Sequence, residues 1–409
     1  MINTPKSLQL HIAVTGRTNT GKSSLVNYLT GQKVSLTSDI PGTTTDVVEK
    51  AAELLPLGPV VFLDTAGCDD ESELGILRVS LMQKTLKRAD VIFLVVEASV
   101  WGSDEDELAQ YAEAHDIPLL IMVNKIDIEV PEETFYTILK ARSPHVINCS
   151  TMDEGSRDAT VSGVKTILLK IAPDDFLQPP PLTEDLVPVG GHTVCIVPID
   201  LEAPKGRLIL PQVQTLRAIL DGSAAGTVVK ESEYVDFMRS LIRKPDLVIC
   251  DSQVVDFMVA NTPSDVPVTT FSILFARFKG DLSTLVDGAR AIDTIKAGSR
   301  VLISEACTHH PLEDDIGRVK IPRWIEQYRG CSFQWEVVAG KDYPDNLKDY
   351  DLIIHCGGCM LNRRGMLSRI EQAAETGVPI TNYGLAISTA HGLLERVTAP
   401  FYTDPVPTA

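Results

Sequence analysis

Short apolar runs recur along the chain, each bounded by glycine, proline or charged residues and each followed by a stretch with helical spacing. In the first third they are Leu10-His-Ile-Ala-Val-Thr15, Val60-Val-Phe-Leu-Asp64 and Leu119-Leu-Ile-Met-Val-Asn124. Runs of this length with turn signals at both ends predict strands buried on both faces. Helix-like residues 163–172 close this region. Pro173-Asp-Asp-Phe-Leu-Gln-Pro179-Pro180-Pro181-Leu-Thr-Glu-Asp then breaks the pattern, and consecutive prolines predict an extended connector over 174–188. Strand and helix patterns resume at 193–197, 212–221, 226–229, 231–242 and 246–250, and alternate again through 266–399. Such alternation predicts βαβ units around mostly parallel sheets. The expected fold class is α/β, in three domains at 1–173, 189–265 and 266–409. A middle domain of about 80 residues is thin for a separate core, so a homodimer that covers its faces or edges is expected.

Composition adds three exclusions. At 409 residues the chain is too long for one ordinary core. It contains no stretch of about twenty apolar residues, and Met-Ile-Asn-Thr-Pro-Lys at its start lacks the sections of a signal peptide. A cytoplasmic location without a membrane partner is the expectation. Asp and Glu outnumber Lys and Arg by 55 to 37, giving a net charge of -18. That balance disfavours nucleic acid, whose phosphates call for clustered cations. Of eight cysteines, Cys68, Cys149, Cys195 and Cys250 lie in or beside apolar runs and read as small hydrophobes.

The strand at 10–15 runs directly into Gly16-Arg-Thr-Asn-Thr-Gly21-Lys22-Ser23, a complete phosphate-binding loop in its required strand-loop-helix setting. Glycines let the backbone wrap a phosphate chain, Lys22 reaches the β and γ phosphates, and Ser23 offers a hydroxyl to Mg²⁺. Thr20 and Ser24 belong to the same nucleotide-contacting segment. Asp64 ends the next buried strand, where a carboxylate can hold Mg²⁺ through water, and Gly67 stands where an N–H can sense a γ-phosphate. Asn124-Lys125-Ile-Asp127 follows the third run. A carboxylate at Asp127 can accept two hydrogen bonds from N1 and N2 of guanine, a donor pair that adenine lacks. GTP and GDP are therefore the expected ligands.

This ordered set resembles the translation-factor-related GTPases, in particular the branch that includes Era and the tRNA-modifying GTPase MnmE. The resemblance makes Pro41-Gly42-Thr43-Thr44-Thr45-Asp46 the first switch, with Thr44 on Mg²⁺, and places Ser150 of Cys149-Ser150-Thr151 against the base. Ras-like proteins carry a water-orienting Gln just after Asp-Thr-Ala-Gly, whereas this chain has Cys68. In the related branch a K⁺ ion bound through a loop asparagine supplies positive charge, and Asn19 stands at the matching position. Slow, K⁺-stimulated hydrolysis is the expectation.

Two later strand patterns end in metal-ligating residue types. Arg300-Val-Leu-Ile-Ser-Glu305 leads to Cys307-Thr-His309-His310, and Asp351-Leu-Ile-Ile354 leads to His355-Cys356-Gly-Gly-Cys359. In open α/β sheets ligands gather beyond the carboxyl ends of strands, so neighbouring parallel strands would bring the three thiols together. Separate buried thiols, a structural Cys₃His zinc site and an iron–sulfur cluster on three thiolates are all compatible with the spacing. Gly357 and Gly358 suit close backbone approach to a bulky cluster. Arg363 and Arg364 could attract an anion or simply begin a solvated helix.

Taken with the GTPase motifs, Cys-x-His followed by His-Cys-x-x-Cys resembles the HydF family of [FeFe]-hydrogenase maturation GTPases over essentially the whole chain. The resemblance implies a dimerisation domain at 189–265 and a cluster-binding domain at 266–409. Cys307, Cys356 and Cys359 would hold a [4Fe–4S] cluster, with His309 or His355 as further ligands. It also implies a carrier that takes a transient di-iron precursor made with radical-SAM maturation enzymes and passes it to the apo-[FeFe]-hydrogenase. The competing expectation is an RNA- or ribosome-associated Era-type GTPase with a structural zinc domain. A thiol-based redox enzyme is a third possibility, but no flavin or dinucleotide fingerprint accompanies it.

Overall fold

The computed structural model describes residues 5–31, 48–65, 82–199, 205–306, 315–340, 343–344 and 346–402. It divides into two compact units, 1–179 and 180–409.

The first unit is built on a six-stranded sheet with β1 at Leu10–Thr15, β2 at Val48–Leu54, β3 at Gly58–Asp64, β4 at Val91–Glu97, β5 at Leu119–Asn124 and β6 at Val146–Asn148. The order is β2-β3-β1-β4-β5-β6, with β2 antiparallel to β3 and the remaining pairs parallel. Because β1 and β5 are buried on both faces, each apolar run sends alternate residues to opposite layers. Leu10, Ile12, Val14, Phe62, Phe93 and Leu120 pack under the helices Lys22–Thr30 and Arg157–Ile171. Ala13, Ile92, Leu94 and Ile121 pack under Ser103–Ala114 and Glu133–Arg142. Truncating a residue such as Phe62 to Ala would cost about 3–5 kcal/mol. The two layers hold the carboxyl ends of β1, β3 and β5 in place, where the nucleotide motifs begin.

The second unit contains two four-stranded parallel sheets. The first comprises β7 at His192–Ile196, β8 at Ala225–Val229, β9 at Leu247–Cys250 and β10 at Val268–Thr270, in the order β10-β9-β7-β8. The second comprises β11 at Arg300–Glu305, β12 at Gln334–Ala339, β13 at Leu352–His355 and β14 at Ile380–Asn382, in the order β12-β11-β13-β14. Val194, Val248, Leu302 and Ile353 belong to one continuous apolar core, so the two sheets share an interior. The helix Phe271–Lys279 lies between them, with Ile273 in that core and Phe271, Leu274 and Phe275 in the adjoining one.

From Leu182 onward, the segment expected to be a connector is packed into the second unit. Leu182 and Val187 are buried with Cys195. Arg277 makes two hydrogen bonds to the Asp185 carboxylate, at 2.7 and 2.9 Å, and donates to the carbonyls of Pro181 and Leu182 at 3.0 Å. Cys149, Cys195 and Cys250 are buried in their cores, and burial raises all three thiols, Cys149 and Cys195 to about 12. Among the described residues no helix is long and apolar enough to cross a membrane.

Candidate functional site

The loop leaving β1 has the backbone its motif requires. Gly16 has φ 140°, and a Cβ there would run into the Val95 carbonyl oxygen. Asn19 is left-handed at φ 66°, and Gly21 caps the following helix at φ 90°. The Lys22 ammonium arches back over the loop, donating to the carbonyls of Gly16 at 3.0 Å and Arg17 at 2.6 Å. The Thr20 hydroxyl donates to the Arg17 carbonyl at 3.0 Å, while Asn19 and Ser24 are exposed at the mouth.

Ser23 donates its hydroxyl to Asp64 Oδ2 at 2.6 Å. Asp64 is 8% exposed, and its Oδ1 is buried without a hydrogen-bond partner among the described residues. Burial raises the carboxyl above its usual range, opposed by the Ser23 hydrogen bond and by Lys50 and Lys22. An orphaned carboxylate oxygen beside a hydroxyl at a helix start is a donor set that fits Mg²⁺.

At the end of β5, Asn124 organises two loops. Its Nδ2 donates to the Thr20 carbonyl at 2.9 Å, and its Oδ1 accepts from the Thr151 amide at 3.3 Å. Lys125, left-handed at φ 61°, pairs with Glu97 at 2.5 Å. Ser150 is buried, and its hydroxyl accepts from the Met152 amide at 3.3 Å. Asp127 is exposed at the mouth of this region. Thr44, Gly67 and Cys68 lie outside the described residues.

The loop has one support that the motif does not reveal. Arg17 forms a two-pronged pair with Glu105 at 2.7 and 2.9 Å, and Glu105 also accepts from the Gly102 amide at 2.8 Å. This fixes the loop against the helix Ser103–Ala114 across 88 residues of chain.

In the second unit, β11 and β13 are parallel neighbours, with Ser304 opposite His355. Since β12 and β14 lie on opposite sides of this pair, its carboxyl end is a topological switch point, where open α/β sheets form crevices. Glu305, buried there, is clamped by Arg318 at 3.0 and 2.6 Å. Cys356 donates its amide to the Ser304 carbonyl at 2.9 Å, and its sulfur accepts the Ala306 amide at 3.1 Å. Burial pushes the thiol up to about 11, while the Ala306 and Gly358 amides pull it down. Those amides are the groups that would favour a thiolate ligand.

Cys359 is exposed at the far end of the loop. Gly358 has φ 58°, and a Cβ there would strike Met366, whereas a Cβ on Gly357 would face open space. Of the two glycines, Gly358 is required by the turn and Gly357 leaves the loop surface bare. Arg363 donates to the carbonyls of Phe278 at 2.9 Å and Gly280 at 3.1 Å, so it helps to hold the end of the helix Phe271–Lys279.

His355 is fully buried. Its Nε2 faces the Arg369 guanidinium at 2.7 Å and its Nδ1 the Cys356 carbonyl at 2.5 Å. Arg can only donate, so Nε2 accepts and Nδ1 carries the proton. Burial and Arg369 push the imidazole down to about 3. A lone pair for iron would require the Arg369 bond to break. Cys307, His309 and His310 lie outside the described residues, and among the described residues no three His, Cys, Asp or Glu side chains come together as a metal set.

A mostly parallel sheet with a phosphate loop after β1, a Ser–Asp pair beside it and Asn124-Lys125-Ile-Asp127 after β5 defines a P-loop GTPase, joined here to a second α/β unit. Comparison with known families agrees. Residues 11–125 match the model described as 50S ribosome-binding GTPase, residues 182–280 the Hydrogen maturase F dimerization domain, and residues 283–400 the Hydrogen maturase F tetramerization domain. The chain belongs to the HydF family of hydrogenase maturation GTPases.

Curated relatives match the GTPase portion. The tRNA modification GTPase MnmE of Prochlorococcus marinus (strain NATL2A) is 41% identical over 121 residues, covering 29% of this chain and 26% of the relative. GTPase Der of a Nitratiruptor species is 37% identical over 127 residues, covering 30% and 27%. The chain therefore spans about a quarter of the length of these relatives. Among solved structures, an Aquifex aeolicus Era variant bound to GDP.AlF4- is 29% identical, with a TM-score of 0.34, over 40% of this chain and 57% of that one.

Proposed function

We propose that this GTPase is a scaffold and carrier in hydrogenase maturation, holding a [4Fe–4S] cluster on Cys307, Cys356 and Cys359. The observation that carries the reading is the position of Cys356. It lies at the switch point of the β11/β13 pair, its sulfur already accepts a backbone amide, and Cys359 is exposed on the same glycine-containing loop. Three thiolates leave one iron with an exchangeable position, and when bound the cluster would supply that position to a cargo. His309 is a candidate for that iron, and His355 would hold it only by giving up its Arg369 hydrogen bond. The cargo is a di-iron precursor assembled with radical-SAM enzymes, and its recipient is the apo-[FeFe]-hydrogenase, in the cytoplasm.

In the first unit, Lys22 with the amides around Gly16, Thr20, Gly21 and Ser24 would hold the phosphates. Ser23, Thr44 and Asp64 would hold Mg²⁺, and Gly67 would sense the γ-phosphate. Asn124, Lys125, Asp127 and Ser150 would form the guanine site. Asn19, exposed and left-handed at the mouth of the loop, is the proposed K⁺ contact. Nucleotide state acts as a timing signal for partner release. Assembly draws on the matched dimerization and tetramerization domains, and β8, an edge strand among the described residues with Val228 41% exposed, is where a homodimer would pair.

The test is activation of a purified apo-[FeFe]-hydrogenase by anaerobically prepared protein charged with the di-iron cargo. Hydrogen evolution is the expected result. Binding of ribosomes or tRNA with zinc as the only metal, and no activation, would overturn the reading.

A further inference from the structure

Two buried cations stand directly behind the Cys356–Cys359 loop, and neither has a carboxylate partner among the described residues. Lys279, 1% exposed, donates to three carbonyls of the loop: Gly358 at 3.1 Å, Cys359 at 3.3 Å and Leu361 at 3.0 Å. Arg369, 4% exposed, reaches the Ser304 hydroxyl at 3.1 Å, His355 Nε2 at 2.7 Å and the Gly340 carbonyl at 2.9 Å, and stacks over the Tyr343 ring at 4.8 Å. Every one of these contacts is to a neutral group. Two buried carboxylates stand nearby, and both engage Arg318: Glu305 through its guanidinium at 3.0 and 2.6 Å, and Asp315 through its backbone amide at 2.9 Å.

Burying a charge is unfavourable unless an opposite charge compensates it. Carbonyl dipoles satisfy the hydrogen-bonding of Lys279 and Arg369 without cancelling their charge. Burial pulls the Lys279 ammonium down to about 8, opposed by Cys359 and Cys356, and Arg369 acts on Cys356 against the burial that raises that thiol. Lys279 is tied by three carbonyls to the loop that carries Cys356 and Cys359, and a metal-bound thiol is a thiolate outright.

We propose that Lys279 and Arg369 are built-in counter-charges for an anionic, thiolate-bound iron–sulfur group seated on the Cys356–Cys359 loop. This rests on the cluster reading above and goes beyond it by assigning two residues that are not ligands. A cluster bound by thiolates is net negative and gains a further negative charge when reduced, so fixed cations behind it favour the reduced state. Lys279 acts through the loop carbonyls it holds, and Arg369 acts through His355 and across the end of β11.

The test uses the full chain, reconstituted anaerobically with ferrous iron and sulfide, and follows reduction by EPR at controlled potentials. Iron and sulfide content and circular dichroism are measured alongside. Arg369→Gln is expected to lower the ratio of reduced to oxidised cluster at a fixed potential about tenfold, equivalent to about 59 mV for one electron. Arg369→Lys, which keeps the charge, is expected to restore the wild-type ratio, and Lys279→Met is expected to shift the ratio in the same direction as Arg369→Gln. If Lys279→Met fails to fold, the Arg369 pair decides. A loaded wild type whose Arg369→Gln and Arg369→Lys variants titrate identically would overturn the counter-charge assignment alone. Wild-type protein that takes up no iron and sulfide would overturn the cluster reading and this assignment with it.

Discussion

The Ser23 hydroxyl, at the first turn of a helix, donates to the Asp64 carboxylate at the end of β3, 2.6 Å away and 41 residues along the chain. The second carboxylate oxygen, Asp64 Oδ1, is buried and unpartnered among the described residues. A divalent cation drawn to that oxygen would take the Ser23 oxygen as a ligand and relieve the burial that now raises the carboxyl.

Asp64→Asn should therefore weaken Mg²⁺ binding more than nucleotide binding. The expected effect is a rise of about 10–100-fold in the Mg²⁺ concentration that half-saturates GTP hydrolysis. A titration of hydrolysis against Mg²⁺ at saturating GTP measures it. An unchanged half-saturation would place the metal elsewhere.

Asn19 should govern the choice of monovalent ion. Wild-type protein is expected to hydrolyse GTP faster in K⁺ than in Na⁺ at equal ionic strength, and Asn19→Ala to remove the difference. Equal wild-type rates in the two salts would exclude a K⁺ site.

Base selection should follow Asp127. Asp127→Asn replaces an acceptor with an amide, and GTP affinity should fall about 100-fold, the worth of one or two charge-assisted hydrogen bonds. Xanthosine triphosphate, with a carbonyl in place of the guanine amine, should bind the variant better than the wild type. Competition against a fluorescent nucleotide reads both, and unchanged GTP affinity would remove Asp127 from the base site.

How much of this was legible in the sequence depended on where each residue sits. Buried strands such as β1 and β5 must be apolar on both faces, so their runs stand out, and Arg300–Glu305 was located to the residue. Edge strands escape the same reading. In β2, Val-Glu-Lys-Ala-Ala-Glu-Leu covers one side of its sheet with polar residues, and β12 is largely exposed. β6 and β14, at three residues each, are too short to show a period. The phosphate loop was readable because its chemistry needs fixed local spacing. Arg17–Glu105 and Lys279–Gly358 join residues 88 and 79 apart, and only the fold brings them together. In sequence, Lys279 is simply a basic residue in the last turn of a helix, and Arg369 one of several arginines on Arg363–Thr376.

His11 makes the first unit acid-sensitive. Buried in β1, its imidazole is held down to about 4 from an ordinary 6.5, first by burial and then by Arg88. The unfolded chain binds the proton more readily, so this contribution to stability is fully present above pH 6.5 and is lost as pH falls toward 4. Between about pH 7 and about pH 5 the loss should be about 2 kcal/mol. Hydrogen exchange of the β1 amides in the full chain measures it, and His11→Leu should flatten the dependence. An equally steep slope in the variant would assign the acid sensitivity to other groups.

In the proposed reading, one chain joins a GTPase to a cluster held by Cys307, Cys356 and Cys359. Iron and acid-labile sulfide per chain, determined after anaerobic purification together with the EPR spectrum of the reduced protein, test it most directly. Near-equal iron and sulfide with a reduced-cluster signal, lost in Cys356→Ser, is the predicted result. Zinc without iron, or an iron content indifferent to Cys356→Ser, would contradict it.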